Sequence, residues 1–134
     1  MFTSLKTFID LRLGEGLIFD ELIDESNFYL KTNYQHFDRL IGFLKADPDL
    51  RLNFLDHIFV LPGESPIFIA PPPAPVLSIV YQLKSLKLPY QASLVVDVLP
   101  GQEIIPSIAK HFLGARWLEE DIGDEYMLTI QDQT

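Results

Sequence analysis

Residues 76–99 read VLSIVYQLKSLKLPYQASLVVDVL and contain the two clearest strand patterns of the chain. Apolar side chains recur at every second position from Leu77 to Leu83, and the second run repeats the alternation. This period of two is typical of strands that turn one face toward a core. Because only Lys87 lies between the runs, a hairpin is the shortest connection. We therefore predict adjacent strands over residues 76–86 and 88–99.

The segments before this pair alternate between helical and extended patterns. Apolar residues at helical spacing predict a first helix that ends at Gly14. A second helix is predicted to begin after Asn33, whose side chain can cap it, and to stop at Asp47-Pro48. Further strands are predicted over residues 17–22, 27–32 and 50–61.

A proline-rich connection precedes the strand pair. Residues 71–75 should be locally extended, either as a stiff connector or as a polyproline ligand, and residues 67–70 fit a short edge strand or a loop. The resulting order is α-β-β-α-β-β-β-α. It predicts an α+β fold of two layers, in which helices pack on a mixed or antiparallel sheet. At 134 residues the chain is expected to form a single domain, 1–134.

Composition excludes several classes of function. The formal net charge is −9, so nucleic acid and anionic lipid surfaces are repelled. There is no Cys for clusters and no glycine-rich phosphate loop, so no cofactor is predicted. The most apolar window is interrupted by prolines and is too short to cross a bilayer, so direct membrane insertion is not expected.

The end of the chain combines the only Trp with a run of acids. Pro106 is predicted to start a short helix over residues 107–112, since proline presets the backbone angle of a first helical residue. A second helix is predicted over residues 115–127. Its residues Leu118, Ile122 and Tyr126 lie four apart and should face the core. The remaining surface is assigned to the acids Glu119, Glu120, Asp121, Asp124 and Glu125.

Clustered carboxylates also permit an enzymatic interpretation. Glu119 or Glu120 would lie about one turn from Asp124 and could serve acid–base hydrolysis, but no nucleophile or oxyanion stabiliser stands at a recognisable spacing. The three histidines show neither His-x-x-His nor Glu-x-x-His spacing, so no metal site is predicted. Trp117 is either an ordinary core residue at a helix start or an interface anchor.

This terminal segment resembles the signature of the 30-kilodalton subunit of respiratory complex I, the NADH dehydrogenase, and of its relatives in membrane-bound energy-converting NiFe hydrogenases. The family pattern is roughly Val-Pro-Ser-(hydrophobic) and, after a gap, Ala-x-Trp-x-Glu-Arg-Glu-x-x-Asp-x-Phe-Gly-Ile. Residues 80–83 are similar to the family's Val-Tyr-His-Leu strand, and residues 54–56 to its apolar strand followed by Asp. The terminal positions that match are Ile105, Pro106, Ser107, Ala115, Trp117, Glu119, Asp121, Asp124, Tyr126 and Leu128.

The sequence departs from the family pattern in three respects. Glu120 stands where the family has Arg, and Met127 stands where it has Gly. The sequence ends at Thr134, so the long tail of many relatives is expected to be missing. The length is more similar to the small subunits of energy-converting hydrogenases than to the full respiratory subunit.

The resemblance implies a subunit without a cofactor or an activity of its own. It would brace the large, hydrogenase-like subunit of the 49-kDa type in a redox complex, in the cytoplasm and peripheral to the inner membrane through its partners. The departures leave open a diverged stand-alone adaptor, and an apolar sheet edge would allow the isolated chain to form a homodimer. The interface and signature residues are expected to be Pro106, Ser107, Trp117, Glu119, Glu120, Asp121, Asp124 and Tyr126.

Overall fold

The computed structural model describes residues 4–63, 67–68, 75–86 and 89–132. In these ranges the helices are α1 (Leu5–Arg12), α2 (Tyr34–Ala46) and α3 (Ala115–Tyr126). The strands are β1 (Asp20–Asp24), β2 (Asn27–Thr32), β3 (Phe54–Pro62), β4 (Leu77–Lys84), β5 (Gln91–Val98), β6 (Ile104–Pro106) and β7 (Thr129–Gln131).

Five strands form one mixed sheet in the order β1-β2-β5-β4-β3. β4 and β5 run antiparallel, from Leu77 opposite Val98 to Lys84 opposite Gln91, so the predicted pairing is confirmed. β2 lies parallel to β5, whereas β6 and β7 pair in parallel as a separate two-stranded sheet. The predicted α+β class is therefore confirmed, and β6 and β7 are additions to the predicted order.

All three helices pack on the same face of the five-stranded sheet. Alternate strand residues, such as Leu30, Tyr81 and Leu94, share one apolar cluster with Ile9 of α1, Leu40 of α2 and Ile122 of α3. This alternation follows from the period of two along a strand, which sends every second side chain to one face. The terminal helix is thereby fixed to the main core through its inner face.

The first two helices begin at polar caps. The Ser4 side chain accepts a hydrogen bond from the Thr7 N–H at 3.1 Å, and the Asn33 side chain accepts one from the His36 N–H at 3.2 Å. A side-chain oxygen at this position satisfies an N–H group that has no partner within the helix. The predicted cap at Asn33 and the stop after Ala46 are confirmed.

The opposite face of the sheet carries a smaller apolar cluster that contains Phe68, Val80 and Val95. Beside it, the Gly63 N–H donates to the carbonyl of Val76 at 3.1 Å, which closes the base of the β3–β4 connection. A Cβ atom at Gly63 would lie 2.2 Å from the backbone oxygen of Pro75. Glycine is required there because no side chain fits against that oxygen.

Two predicted strands differ in extent from the observed ones. The strand predicted over residues 17–22 is shifted to β1, because the tight turn pairs Asp24 with Asn27 and sets the register. The strand predicted over residues 50–61 begins only at Phe54, while Leu50 and Leu52 are buried ahead of it. Residues 69–74, which hold most of the predicted proline-rich connector, lie outside the described residues.

Candidate functional site

α3 ends in a backbone conformation that suits glycine. Met127 caps the helix with φ 57° and ψ 43°, in the left-handed region, and its N–H donates to the carbonyl of Gly123. The Leu128 N–H bonds to the same carbonyl at 3.0 Å, so the chain turns sharply back toward β7. A residue other than glycine in this conformation costs about 1–2 kcal/mol. Met127 therefore carries strain at the position where the family pattern has Gly.

The segment before α3 is a strand followed by turns. The helix predicted over residues 107–112 is wrong, because Pro106 is the last residue of β6, opposite Gln131 of β7. Proline lacks an N–H and fits the end of an edge strand as well as a helix start. The Ser107 N–H then donates to the Gln131 carbonyl at 2.8 Å, which extends the contact with β7.

Glu119 joins this segment to α3. Its side chain is only 2% exposed, so its assignment to the outer surface of the helix is wrong. One carboxylate oxygen accepts the Ser107 hydroxyl at 2.6 Å, and the other accepts the Ile108 N–H at 2.8 Å. The Ser107 Oγ in turn accepts the Ala109 N–H at 3.1 Å. The two halves of the family-like signature are thus held together by one buried carboxyl group.

Burial also shifts the pKa values of the ionisable groups in this region. Loss of solvation raises the pKa of Glu119, although the hydrogen bonds from Ser107 and Ile108 act in the opposite direction. The hydroxyl groups of Tyr34 and Tyr81 lie 2.7 Å apart, and burial raises the pKa of both phenols. The charge of Glu119 raises those phenol pKa values further. This interior therefore favours protonated groups.

The outer face of α3 has a different character. Trp117 is 78% exposed, so the interpretation of this residue as a core residue is wrong. Leu113, just before the helix, is 89% exposed. The solvent-facing acids of α3 are Glu120, Asp121, Asp124 and Glu125.

These acids are not neutralised by nearby cations. Across the described ranges, no Lys, Arg or His side chain forms an ion pair with any of the four carboxylates. The nearest cations along the chain have other partners: Arg116 contacts Asp132 at 3.1 Å, and Lys110 contacts Asp38 at 2.9 Å. The face is therefore negative and partly apolar.

The predicted inner stripe of α3 is partly wrong. Ile122 is buried and Leu118 packs partly against the core, but Tyr126 is 38% exposed. The buried positions are Ala115, Glu119 and Ile122, so the inward face includes a carboxyl group beside the predicted apolar positions. A stripe defined by apolar residues alone excludes a carboxyl group.

The geometry bears on the two chemical interpretations. Glu119 faces the interior while Asp124 faces solvent, so these two carboxylates do not share one surface, whereas Glu120 and Asp124 are both exposed. In the part of the chain that the structure describes, no three His, Asp or Glu residues are grouped to hold a metal ion. His111 instead contacts Asp38, with Nε2 2.8 Å from the carboxylate.

Sequence patterns alone missed several participants in the site. The sequence marks Ser107 and Glu119 separately, but not the contact between them or the role of the Ile108 N–H. Tyr34 and Tyr81 are distant in sequence and carried no signal of a shared interior. No helix among the described residues has the length and apolar character needed to cross a membrane.

Structural comparisons identify related folds. Among 46 matching chains, a trypsin-resistant fragment of Nqo5 shares 19% sequence identity at a TM-score of 0.68, and the alignment covers 84% of this chain and 85% of that one. A chain from the structure of an archaeal respiratory membrane complex, the membrane-bound sulfane sulfur reductase, shares 12% identity at a TM-score of 0.69. That alignment covers 94% of this chain and 67% of the other.

Sequence comparison identifies the family. No curated protein sequence matches the chain. The sequence model described as the respiratory-chain NADH dehydrogenase, 30 Kd subunit, matches residues 30–133. This range includes the second half of β2 from Leu30, all of β5 and the whole of the segment that Glu119 ties together. The protein therefore belongs to the family of the 30 Kd subunit of respiratory-chain NADH dehydrogenase.

Proposed function

We propose that this chain is a non-catalytic subunit of a membrane-associated redox complex of the NADH dehydrogenase-like or NiFe hydrogenase-like kind. It braces the large catalytic subunit, which is hydrogenase-like and of the 49-kDa type. Family membership supports this role, and so does the fold shared with Nqo5 and with a chain of an archaeal respiratory membrane complex. The chain would reach the membrane only through its partners.

The observation that carries this proposal is the exposure of Trp117 on a firmly held helix. An indole that is 78% exposed leaves a large apolar surface in water. Flexible segments lose entropy when they bind, but α3 is already fixed by its core contacts and by the buried Glu119. A preformed helix with an aromatic anchor is suited to bracing a neighbour.

Co-purification tests the proposal. The chain is tagged and expressed in its native cells, the membranes are solubilised in mild detergent, and the recovered proteins are identified by mass spectrometry. We expect a hydrogenase-like large subunit in near-stoichiometric amount. Recovery of the chain alone from both membranes and cytosol would refute the proposal.

A stand-alone adaptor is the second candidate. Glu120 favours this candidate because its negative charge replaces the positive charge of the family's Arg. Under that alternative, the same experiment would recover a defined partner without any large redox subunit. The genes beside this one provide an independent check, since an assembly subunit is expected to lie among genes for the other subunits of its complex.

A further inference from the structure

We propose that the outer face of α3 binds a cationic protein surface that contains an apolar recess for the Trp117 indole. This inference rests on the proposed function, because it names the chemistry that the large subunit presents to this chain. We define the α3 outer face as Trp117, Glu120, Asp121 and Asp124 together with the preceding Leu113. Residues three and four positions apart on a helix are neighbours, so Trp117, Glu120, Asp121 and Asp124 form one continuous surface. Leu113 lies two residues before the helix, which begins at Ala115.

The apolar part of this surface is concentrated at one end. Trp117 and Leu113 are 78% and 89% exposed, and neither packs into the described core. Aromatic side chains bury about 150–250 Å² each when covered, and Trp is among the residues that most often dominate an interface. A partner that covers this end buries the most apolar surface if it offers a recess of matching size.

The charged part determines the sign of the partner. Glu120, Asp121 and Asp124 have no ion-pair partner among the described residues, and the cations nearby are engaged elsewhere. The ammonium group of Lys45, for example, contacts the carbonyl of His111. A partner with Lys or Arg around its recess would meet uncompensated negative potential, which favours association and fixes orientation.

The same charges exclude other occupants of the face. A second copy of the chain would place acids against acids across a two-fold interface, which is unfavourable. With a net charge of −9, the chain is also repelled by nucleic acid and by anionic lipid. A cationic protein surface is the occupant that satisfies both parts of the face.

Zero-length cross-linking tests this inference on the intact complex. A carbodiimide joins a carboxylate to a lysine amine that touches it, and peptide mapping identifies both residues. We expect Glu120, Asp121 or Asp124 to be joined to lysines of the large subunit. If those lysines couple only to acids elsewhere, such as Glu15, while the α3 acids react with added glycinamide as they do in the free chain, the inference is wrong.

A matched pair of charge reversals covers a partner that uses arginine. Glu120→Arg introduces the residue of the family pattern at an exposed position, and Glu15→Arg makes the same charge change at an exposed position outside α3. We expect Glu120→Arg to lower the recovered large subunit about threefold or more relative to Glu15→Arg. Trp117→Ala should lower it about tenfold or more. Circular dichroism should show all three variants folded.

The outcomes separate this inference from the proposed function. If the wild-type chain recovers the large subunit and Glu120→Arg and Trp117→Ala recover it equally well, the α3 outer face is not the docking surface and the assembly role still stands. If the wild-type chain recovers no large subunit, both proposals fail.

Discussion

Replacing Glu119 by Ala should destabilise the fold far more than a surface acid would. The change leaves the Ser107 hydroxyl and the Ile108 N–H buried without their acceptor, since both bond to the Glu119 carboxylate at 2.6 and 2.8 Å. Each unsatisfied buried group costs about 1–3 kcal/mol. Part of this cost is offset because a buried carboxyl no longer has to be desolvated. We expect a net loss of about 3 kcal/mol in the free energy of unfolding.

Two further variants isolate the cause. Glu119→Gln keeps an oxygen for the Ile108 N–H but has no second carboxylate oxygen for the Ser107 hydroxyl. The free energy of unfolding should therefore fall by about 1 kcal/mol. Glu120→Ala changes the next residue, whose side chain is exposed and has no hydrogen-bond or ion-pair partner in the described chain. The free energy of unfolding of this variant should stay within about 0.5 kcal/mol of the wild-type value.

Urea unfolding followed by far-UV circular dichroism is the appropriate assay. Trp117 is 78% exposed in the folded protein, so its fluorescence should change little on unfolding. With an m-value of about 2 kcal/mol per M, a loss of 3 kcal/mol moves the midpoint by about 1.5 M. If Glu119→Ala unfolds at the same midpoint as Glu120→Ala, the buried carboxyl does not hold the two segments together.

Three further predictions concern pH and backbone strain. Burial raises the pKa of Glu119, so its contribution to stability is complete below about pH 4.5, the ordinary value, and is lost as pH rises through the folded-state pKa. The wild-type protein should therefore lose stability relative to Glu119→Gln over that pH interval. A difference in stability that stays constant with pH would contradict this prediction. Met127→Gly should raise the free energy of unfolding by about 0.5–1 kcal/mol because φ is 57°, and a lower thermal midpoint would argue against strain there. Gly63→Ala should lower the free energy of unfolding by about 2 kcal/mol or more, since the new Cβ would lie 2.2 Å from the Pro75 oxygen. An unchanged denaturant midpoint would show that the β3–β4 connection moves to accommodate the methyl group.

Much of the fold could be predicted because its signals are local. The alternation in β4 and β5 reports which side chains face the core, and the cap at Asn33 depends only on a side chain and an N–H three residues later. These features depend on short stretches of chain. Their boundaries moved only where a turn or a pairing partner decided the register, as at β1.

The parts that were mispredicted depend on contacts between distant segments. Pro106 suits both a helix start and a strand end, and the choice was decided by β7, which follows α3 in the sequence. Glu119 is one of several neighbouring acids, and its residue type alone does not show that it is buried while Glu120 is exposed. It is buried because Ser107 and Ile108 offer donors at that point of the helix surface. For this reason the acidic face has one member fewer than the sequence suggested.

The parallel pairing of β2 with β5 has a consequence for how the chain folds. It joins Asn27 to Gln91, so the second side of β2 can be paired only once β5 is available. Closing so long a loop costs entropy before any contact repays it, which slows folding. During synthesis the first half of the chain leaves the ribosome with one side of β2 unpaired. We therefore expect fragments that stop before β5 to aggregate and to depend on chaperones.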